Sequence, residues 1–391
     1  MKDSRQGKRG RLLVVSHVVH HQVGGRIAAY TPYAAEIDEW ANRFQEVVVA
    51  CPVSTSRWPD DCSEIRAPNL SLAAVVEAGG ESMAAKVRQA LLVPLMCVQL
   101  LRQMRSADVI HVRCPGNLGL LGVVLAPLLR KRRIAKYAGQ WDDYPGEPWS
   151  FRLQRVILGS RWWAAPVTVY GRRPQDRDHV VDFFSSAMTD EEADAGLRVA
   201  EARHRQPGRL RVLFVGRLSR QKHAEVLIEA VAALRGEGLD VEARIIGDGP
   251  EKDRLVALSQ QLQVADIVEL PGALDMADVL AEYVVSDTLV LASETEGFPK
   301  AAIEAMSFGL VVVGSDIGRL REFLADGRGH TVPPGDAAAV TDALRAVAAD
   351  PALADAAGRA AAGFARNYTL EALGDGIERI LDERWPRLRD H

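Results

Sequence analysis

Residues 288–309 read TLVLASETEGFPKAAIEAMSFG. The first five, Thr288 to Ala292, form a short apolar run of the kind that fills a buried strand. Pro299 to Phe308 then place apolar residues at helical spacing, and Pro299 suits a first helical turn. Between them lies a polar loop with Glu296 and Gly297. Strand, loop and helix follow one another within 22 residues. The same order recurs on either side. Arg211 to Val215 is a strand, Gly216-Arg217-Leu218-Ser219-Arg220-Gln221-Lys222 its loop, and Ala224 to Arg235 its helix. Val241 to Ile246 is a strand ending at Gly247-Asp248-Gly249-Pro250. Further strands are expected at Ile267 to Leu270 and Leu310 to Val313. Repeated alternation of this kind predicts an α/β doubly wound parallel sheet.

The first half shows the pattern too. Leu12 to Ser16 reads as a strand, Gly24-Gly25 closes a loop, Ala28 to Phe44 reads as a helix, and Val47 to Cys51 as the next strand. An apolar helix is expected over 90–105, strands over 108–112 and 134–137, with the loop Pro115-Gly116-Asn117 between them. Residues 185–210 are polar and charged with no strand signal, and read as a linker. The expected organisation is therefore two Rossmann-like domains, 1–195 and 205–368, facing a central cleft. A C-terminal helix over 369–391 is expected to cross back to the first. In open parallel sheets ligands bind beyond the carboxyl ends of the strands. The loops to watch are 17–25, 111–117, 138–147, 216–222, 247–250 and 293–299.

Composition narrows the function. The chain has 391 residues, net charge -4, 48% hydrophobic and 26% charged residues. These values exclude a disordered or fibrous chain and give no global reason to expect nucleic acid as a partner. Charge is uneven: residues 1–190 carry a net +7 and residues 191–391 a net -11. Cys51, Cys62, Cys97 and Cys114 form no CxxC pair and read as free thiols of a reducing, cytoplasmic compartment. The basic start MKDSRQGKRGR leads into an apolar run too short for a signal segment, and no apolar run is long enough to span a bilayer.

The physical features of the two loops converge on an anionic ligand. A helix opening after Gly297 points amide donors and its positive dipole end into the loop. Arg217 and Lys222 place cations at a strand end. Glu304 follows Glu296 by eight residues, about two helical turns. The segment EGFPKAAIEAMSFG, with GRLSRQK and GDGP, resembles the retaining GT-B glycosyltransferases of the glycogen-synthase-like class (glycosyl transferases group 1, family 4), with Pro299 where a glycine is usual. That resemblance implies that Arg217 and Lys222 grip a nucleotide diphosphate. It implies that Glu304 binds ribose, and that Glu296, Gly297, Phe298 and Pro299 contact the donor sugar. Gly247 and Leu270 are assigned with the nucleotide, and Gly24 and Gly25 with its phosphates. Asp108-Val109-Ile110-His111-Val112-Arg113 resembles the family's DVIHxH strand, with Arg113 where the second histidine would stand. Arg113 is assigned to donor sugar or acceptor. His111, Gln140, Trp141 and Asp142 are assigned to the acceptor, although His111 also reads as a buried, satisfied side chain.

The expected activity is transfer of a sugar from a nucleotide-diphospho-sugar, UDP being the commonest base, to a hydroxyl of a small molecule, glycan or lipid-linked acceptor. Arg217, Lys222 and Glu296 are the residues expected to carry it. No cofactor is expected, and no metal, because the cations take that role and no DxD motif closes a donor-half strand. The rivals are a nucleotide-sugar 2-epimerase and a non-catalytic sugar-nucleotide-binding protein. The run Arg130-Lys131-Arg132-Arg133 and an interfacial helix over 149–163 raise the further expectation of peripheral contact with the inner face of a membrane.

Overall fold

Every strand pairing in the two large sheets is parallel. The computed structural model describes residues 8–59, 61–76, 83–144, 146–171 and 178–386, with the backbone alone for 83–90. Most of the basic start, residues 1–7, lies outside the described residues. The chain divides into one unit of Met1–Ser186 with Ala372–His391, and a second of Ala187–Glu371.

The first unit opens with β1 (Arg9–Val15), β2 (His20–Val23), β3 (Arg26–Tyr30), α1 (Thr31–Ala41) and β4 (Phe44–Cys51). Short strands β5 (Val53–Ser54), β6 (Cys62–Glu64) and β7 (Leu70–Ala74) precede α2 (Met83–Ser106). Then come β8 (Val109–Cys114), α3 (Asn117–Leu125), the 3-10 turn Ala126–Leu129, β9 (Arg132–Gln140), α4 (Trp149–Leu158), β10 (Val167–Tyr170) and β11 (Val180–Asp182). Seven strands lie in the order β11-β10-β9-β8-β1-β4-β7. β8 and the Val47–Cys51 part of β4 are buried on both faces because helices cover both sides of such a sheet, although β8 carries His111 and Arg113 on one of them. On one side Met96, Leu100 and Met104 of α2 pack with Leu118 of α3 and Leu158 of α4.

A four-stranded sheet, β5-β2-β3-β6, was not foreseen. The stretch read as helix from Ala28 begins as β3, which pairs antiparallel with β2 and β6. Gly24 and Gly25 are therefore the two-residue turn of a hairpin, with φ +59° and +78°, the positive pair that such turns require.

The second unit begins with α5 (Asp190–Ala202), in the stretch read as a linker. Thr189 caps it: its hydroxyl accepts from the Glu192 amide at 3.2 Å, and the Glu192 carboxylate accepts from the Thr189 amide at 2.8 Å. Next come β12 (Arg209–Val215), α6 (Glu225–Gly236), β13 (Asp240–Ile246), α7 (Lys252–Gln261), β14 (Val268–Gly272), α8 (Met276–Val285) and β15 (Thr288–Leu291). The unit continues with α9 (Lys300–Ser307), β16 (Val311–Ser315), α10 (Gly318–Leu324), β17 (Gly329–Val332), α11 (Ala337–Ala349) and α12 (Pro351–Ala365). Its sheet runs β14-β13-β12-β15-β16-β17. The last helix, α13 (Leu370–Arg384), returns the chain to the first unit. There the buried Arg9 guanidinium donates to Glu378 at 2.9 and 3.0 Å and to Asp382 at 2.6 Å.

Candidate active site

In the second sheet the chain builds β12, β13 and β14 outward in one direction, then returns to add β15, β16 and β17 on the other. Strand order reverses between β12 and β15, and the loops at such a reversal diverge to leave a crevice at their carboxyl ends. Those loops are 216–222 and 292–299, the two motifs that carry the cations and Glu296.

The structure joins them. The Glu294 amide donates to the Gln221 carbonyl at 2.9 Å. Lys222 Nζ lies 2.6 Å from Glu296 Oε1, and Ser293 Oγ donates to the same oxygen at 2.8 Å. Arg217 is exposed on the same loop. His223 closes the loop in the left-handed region, φ 48°, and its ring nitrogens reach Glu225 at 3.0 Å and Glu294 at 3.1 Å. Sequence reasoning passed over His223. A histidine directly after Lys222 was the available signal.

The third loop is locked to the first. The Leu218 amide donates to the Asp248 carbonyl at 2.9 Å, and the Glu251 amide to the Leu218 carbonyl at 3.1 Å. Gly247 has φ +140°, and a Cβ there would lie 1.9 Å from the Gly216 carbonyl oxygen. Only glycine permits this approach. Leu270 is half-buried within β14, whose last residue Gly272 accepts from the Gly247 amide at 2.8 Å. Gly247 thus touches both the Gly216 loop and the end of β14.

Pro299 sits one residue before α9, at the N-cap, with φ -79° and ψ 75°. It has no N–H, so the amides near that terminus belong to Gly297, Phe298, Lys300 and Ala301, and that of Lys300 donates to the Phe298 carbonyl at 2.9 Å. This corrects the expectation that Pro299 starts the helix and shares in donor-sugar contacts through its backbone. The Phe298 ring is buried against Phe323 and Tyr368, at centroid distances of 5.6 and 5.9 Å, and anchors the loop from beneath. Glu304 lies on the buried face of α9 and accepts from the Tyr283 hydroxyl at 3.0 Å. Burial raises its pKa, against Lys300 and Tyr283, which lower it.

In the first sheet, strand order reverses between β1 and β8. His17 follows β1 there, against Gly116 at the head of α3: a Cβ on Gly116 would lie 2.6 Å from His17 Nδ1. His17 was also passed over, though it is the first ring after the opening strand. Its pKa is lowered by the surrounding protein and then by Arg113.

Arg113 is buried and committed. It donates to Glu36 at 2.7 and 3.3 Å, and Lys136 donates to Glu36 at 2.6 Å. Burial alone would raise the Glu36 pKa, yet the two cations hold it well below the carboxylate range. Its guanidinium also lies over the Tyr33 ring, 4.6 Å from the centroid. The expected donor or acceptor role of Arg113 thus meets a side chain whose terminal nitrogens already serve Glu36.

Two acceptor assignments are corrected. His111 is fully enclosed, its ring tilted against that of Trp40 at a centroid distance of 4.5 Å, and neither ring nitrogen has a partner. It is buried as expected but not satisfied, and its ring is closed to solvent. Burial, reinforced by Arg113, pushes its pKa down to about 3. Trp141 is a core residue, packed edge-on against Tyr137 at 5.4 Å. Of that loop Gln140 is half-buried and Asp142 exposed. Arg155 of α4 pins it, donating to the Trp141 carbonyl, to Asp143 and to Glu147. The Gly24-Gly25 turn is exposed, and a Cβ at either position would meet nothing within 4 Å. Among the described residues no three His, Cys, Asp or Glu side chains gather as metal ligands.

Two parallel doubly wound sheets, with the terminal helix returned to the first, define the GT-B architecture. The solved structure of Anabaena Alr3699/HepE in complex with UDP and glucose shares it, with a TM-score of 0.70 at 14% identity over 96% of this chain and 99% of that one. So does sucrose-phosphate synthase from Thermosynechococcus elongatus, at 0.68, 19% identity, and 97% and 100% coverage. More particularly, residues 200–364 match the family model Glycosyl transferases group 1, which takes in every motif loop of the second unit. Alpha-D-kanosaminyltransferase from Streptomyces kanamyceticus is 30% identical over 214 residues, 54% of this chain and 55% of that protein. Glycogen synthase from Mycobacterium tuberculosis (strain H37Rv) is 34% identical over 161 residues, 41% and 39% of the two. The matched parts thus span roughly half or less of these relatives.

Proposed function

We propose that the protein is a retaining glycosyltransferase that moves a sugar from a nucleotide-diphospho-sugar, UDP foremost, to an acceptor hydroxyl. The observation that carries this reading is the meeting of the Gly216–Lys222 and Ser293–Pro299 loops at the reversal between β12 and β15, with Lys222 against Glu296 at 2.6 Å. Both loops fall inside the family match. Arg217 and Lys222 bind the diphosphate. As the bond from the anomeric carbon to the phosphate oxygen breaks, that oxygen gains negative charge, and cations fixed beforehand stabilise it. Glu296 turns to the donor sugar and Glu304 to the ribose. Gly247 lets the neighbouring loop close beside the base. The acceptor hydroxyl attacks on the face the diphosphate leaves, and the departing phosphate oxygen takes its proton. No protein nucleophile, metal or further cofactor enters this scheme.

The acceptor is a small molecule, glycan or lipid-linked sugar, and the loop 140–147 held by Arg155 supports a place for it in the first unit. Melting the protein with a panel of nucleoside diphosphates tests the donor half. Ligand at a hundredfold its dissociation constant stabilises by about 2.7 kcal/mol. Product analysis with each nucleotide-sugar, with and without acceptor, tests the reaction. A melting temperature unmoved by every nucleotide would refute the donor site. Binding without transfer or hydrolysis would leave a sugar-nucleotide-binding protein. Conversion of the donor sugar without acceptor would favour an epimerase.

A further inference from the structure

The helices on one side of the first sheet present an apolar outer rim. Met96, Leu100 and Met104 of α2 face the core and are fully buried. On its opposite side Leu91, Leu95 and Val98 are 76%, 47% and 64% exposed, and that stripe continues into exposed Arg102 and Arg105. α2 packs beside α3 and the 3-10 turn, and α3 beside α4, so the helices form one layer over a common core. The rim continues across the layer with Leu128 of the turn and with Trp149, 75% exposed, and Val156 of α4. A single exposed leucine needs no explanation, but a row across neighbouring helices does.

The helices of this layer carry charge of one sign, the exposed Asp143 on the loop before α4 being paired with Arg155. α2, α3, the turn and α4 contain no Asp or Glu. Arg130, Arg132, Arg152 and Arg161 are exposed around the apolar rim. The expectation of one interfacial helix over 149–163 needs revision: α4 ends at Leu158, Trp163 is buried, and Arg155 and Arg133 are committed to internal partners. What replaces it is a broader face to which α2 contributes the most exposed aliphatic side chains.

We propose that this face docks the protein on an anionic lipid surface, Trp149 and the aliphatic row entering the headgroup layer and the arginines meeting lipid phosphates. Charge selects the occupant. A two-fold contact with a second copy would set arginine against arginine, with no acid on these helices to pair. A phosphate backbone alone would leave the aliphatic row in water. A lipid surface satisfies both features. The inference goes beyond the proposed activity, since it holds whichever sugar is moved.

The test is flotation of the full chain with neutral phosphatidylcholine vesicles and with vesicles containing phosphatidylglycerol, at low and high salt. The protein should float with the anionic vesicles at low salt, less at high salt, and not with the neutral ones. Arg130→Ala and Arg132→Ala should each weaken partition about fivefold, the equivalent of about 1 kcal/mol per basic residue at such a surface. The double variant Leu95→Gln/Val156→Gln should abolish it, and brominated lipid should quench less emission from Trp149→Phe than from the parent. These side chains are exposed, so melting should be unchanged. Should Leu95→Gln/Val156→Gln melt early, Leu91→Gln/Val98→Gln replaces it. Equal or absent flotation with both lipids overturns the proposal, as does binding indifferent to both sets of variants. A concentration-dependent dimer that the glutamine variants dissolve, without vesicle binding, assigns the face to a second copy instead.

Discussion

Glu36→Gln tests whether Arg113 is a structural cation or a ligand contact. Glu36 is almost fully enclosed and accepts from Arg113 at 2.7 Å and Lys136 at 2.6 Å. Gln keeps the shape and removes the charge, leaving two cations of the first unit buried without a counter-ion. Breaking such a group by removing one partner costs about 3–5 kcal/mol. All seven tryptophans lie in residues of the first unit, so their emission reads that unit's unfolding without signal from the second. At about 3 kcal/mol per molar urea, the midpoint should fall by about 1–2 M. Replacing Glu36, Arg113 and Lys136 together by Leu, Met and Met should recover most of the loss, because an apolar trio leaves no buried charge. A Glu36→Gln midpoint within about 0.3 M of the parent, about 1 kcal/mol at that slope, would refute the argument and return Arg113 to the pool of ligand-binding groups.

Lys222→Ala or Arg217→Ala should lower turnover about 10²–10³-fold, or roughly 2.7–4 kcal/mol, with unchanged melting; near-normal steady-state rates would remove the diphosphate assignment. Gly247→Ala should destabilise the second unit by about 3 kcal/mol in calorimetry, since its Cβ would meet the Gly216 carbonyl at 1.9 Å and its φ is +140°. His111 has its pKa lowered from 6.5 to about 3, so the folded state keeps it neutral while the unfolded chain takes up a proton below 6.5. Its contribution is present above that pH and lost as pH falls, about 2 kcal/mol by pH 5; His111→Phe should flatten that part of a urea-midpoint profile against pH. Turnover should survive EDTA, and loss restored by Mg²⁺ or Mn²⁺ would contradict the role given to the two cations.

The second unit was legible because its signals are local. A strand, a loop chemistry and a helix follow within about twenty residues at β12 and again at β15, and the observed bounds fall within a few residues of the reading. The first unit was less so. β3 looked like the start of a helix because the Gly24-Gly25 turn that pairs it with β2 was read as an ordinary loop, and its second partner β6 lies far along the chain. The Glu36 partner of Arg113 is 77 residues away, beyond any spacing rule. The helix Asp190–Ala202 was different: Thr189 and Glu192 spell a capping box, and polar composition hid it. Whether Glu296 faces ligand or lysine is likewise invisible to a motif, which names the residues without their resting partners.

That resting partnership has a consequence for selectivity. Glu296 occupies Lys222 as a built-in competitor, at 2.6 Å and with Ser293 on the same oxygen. An incoming anion gains only the difference between its own hold on the lysine and the carboxylate's. A monovalent ion offers little such difference. Under the proposed function, a diphosphate that also engages Arg217 and gives Glu296 a sugar hydroxyl to accept from exchanges one paired arrangement for another. On the proposed reading the site discriminates by the completeness of the ligand, and a fragment should bind far more weakly than its share of the contacts implies.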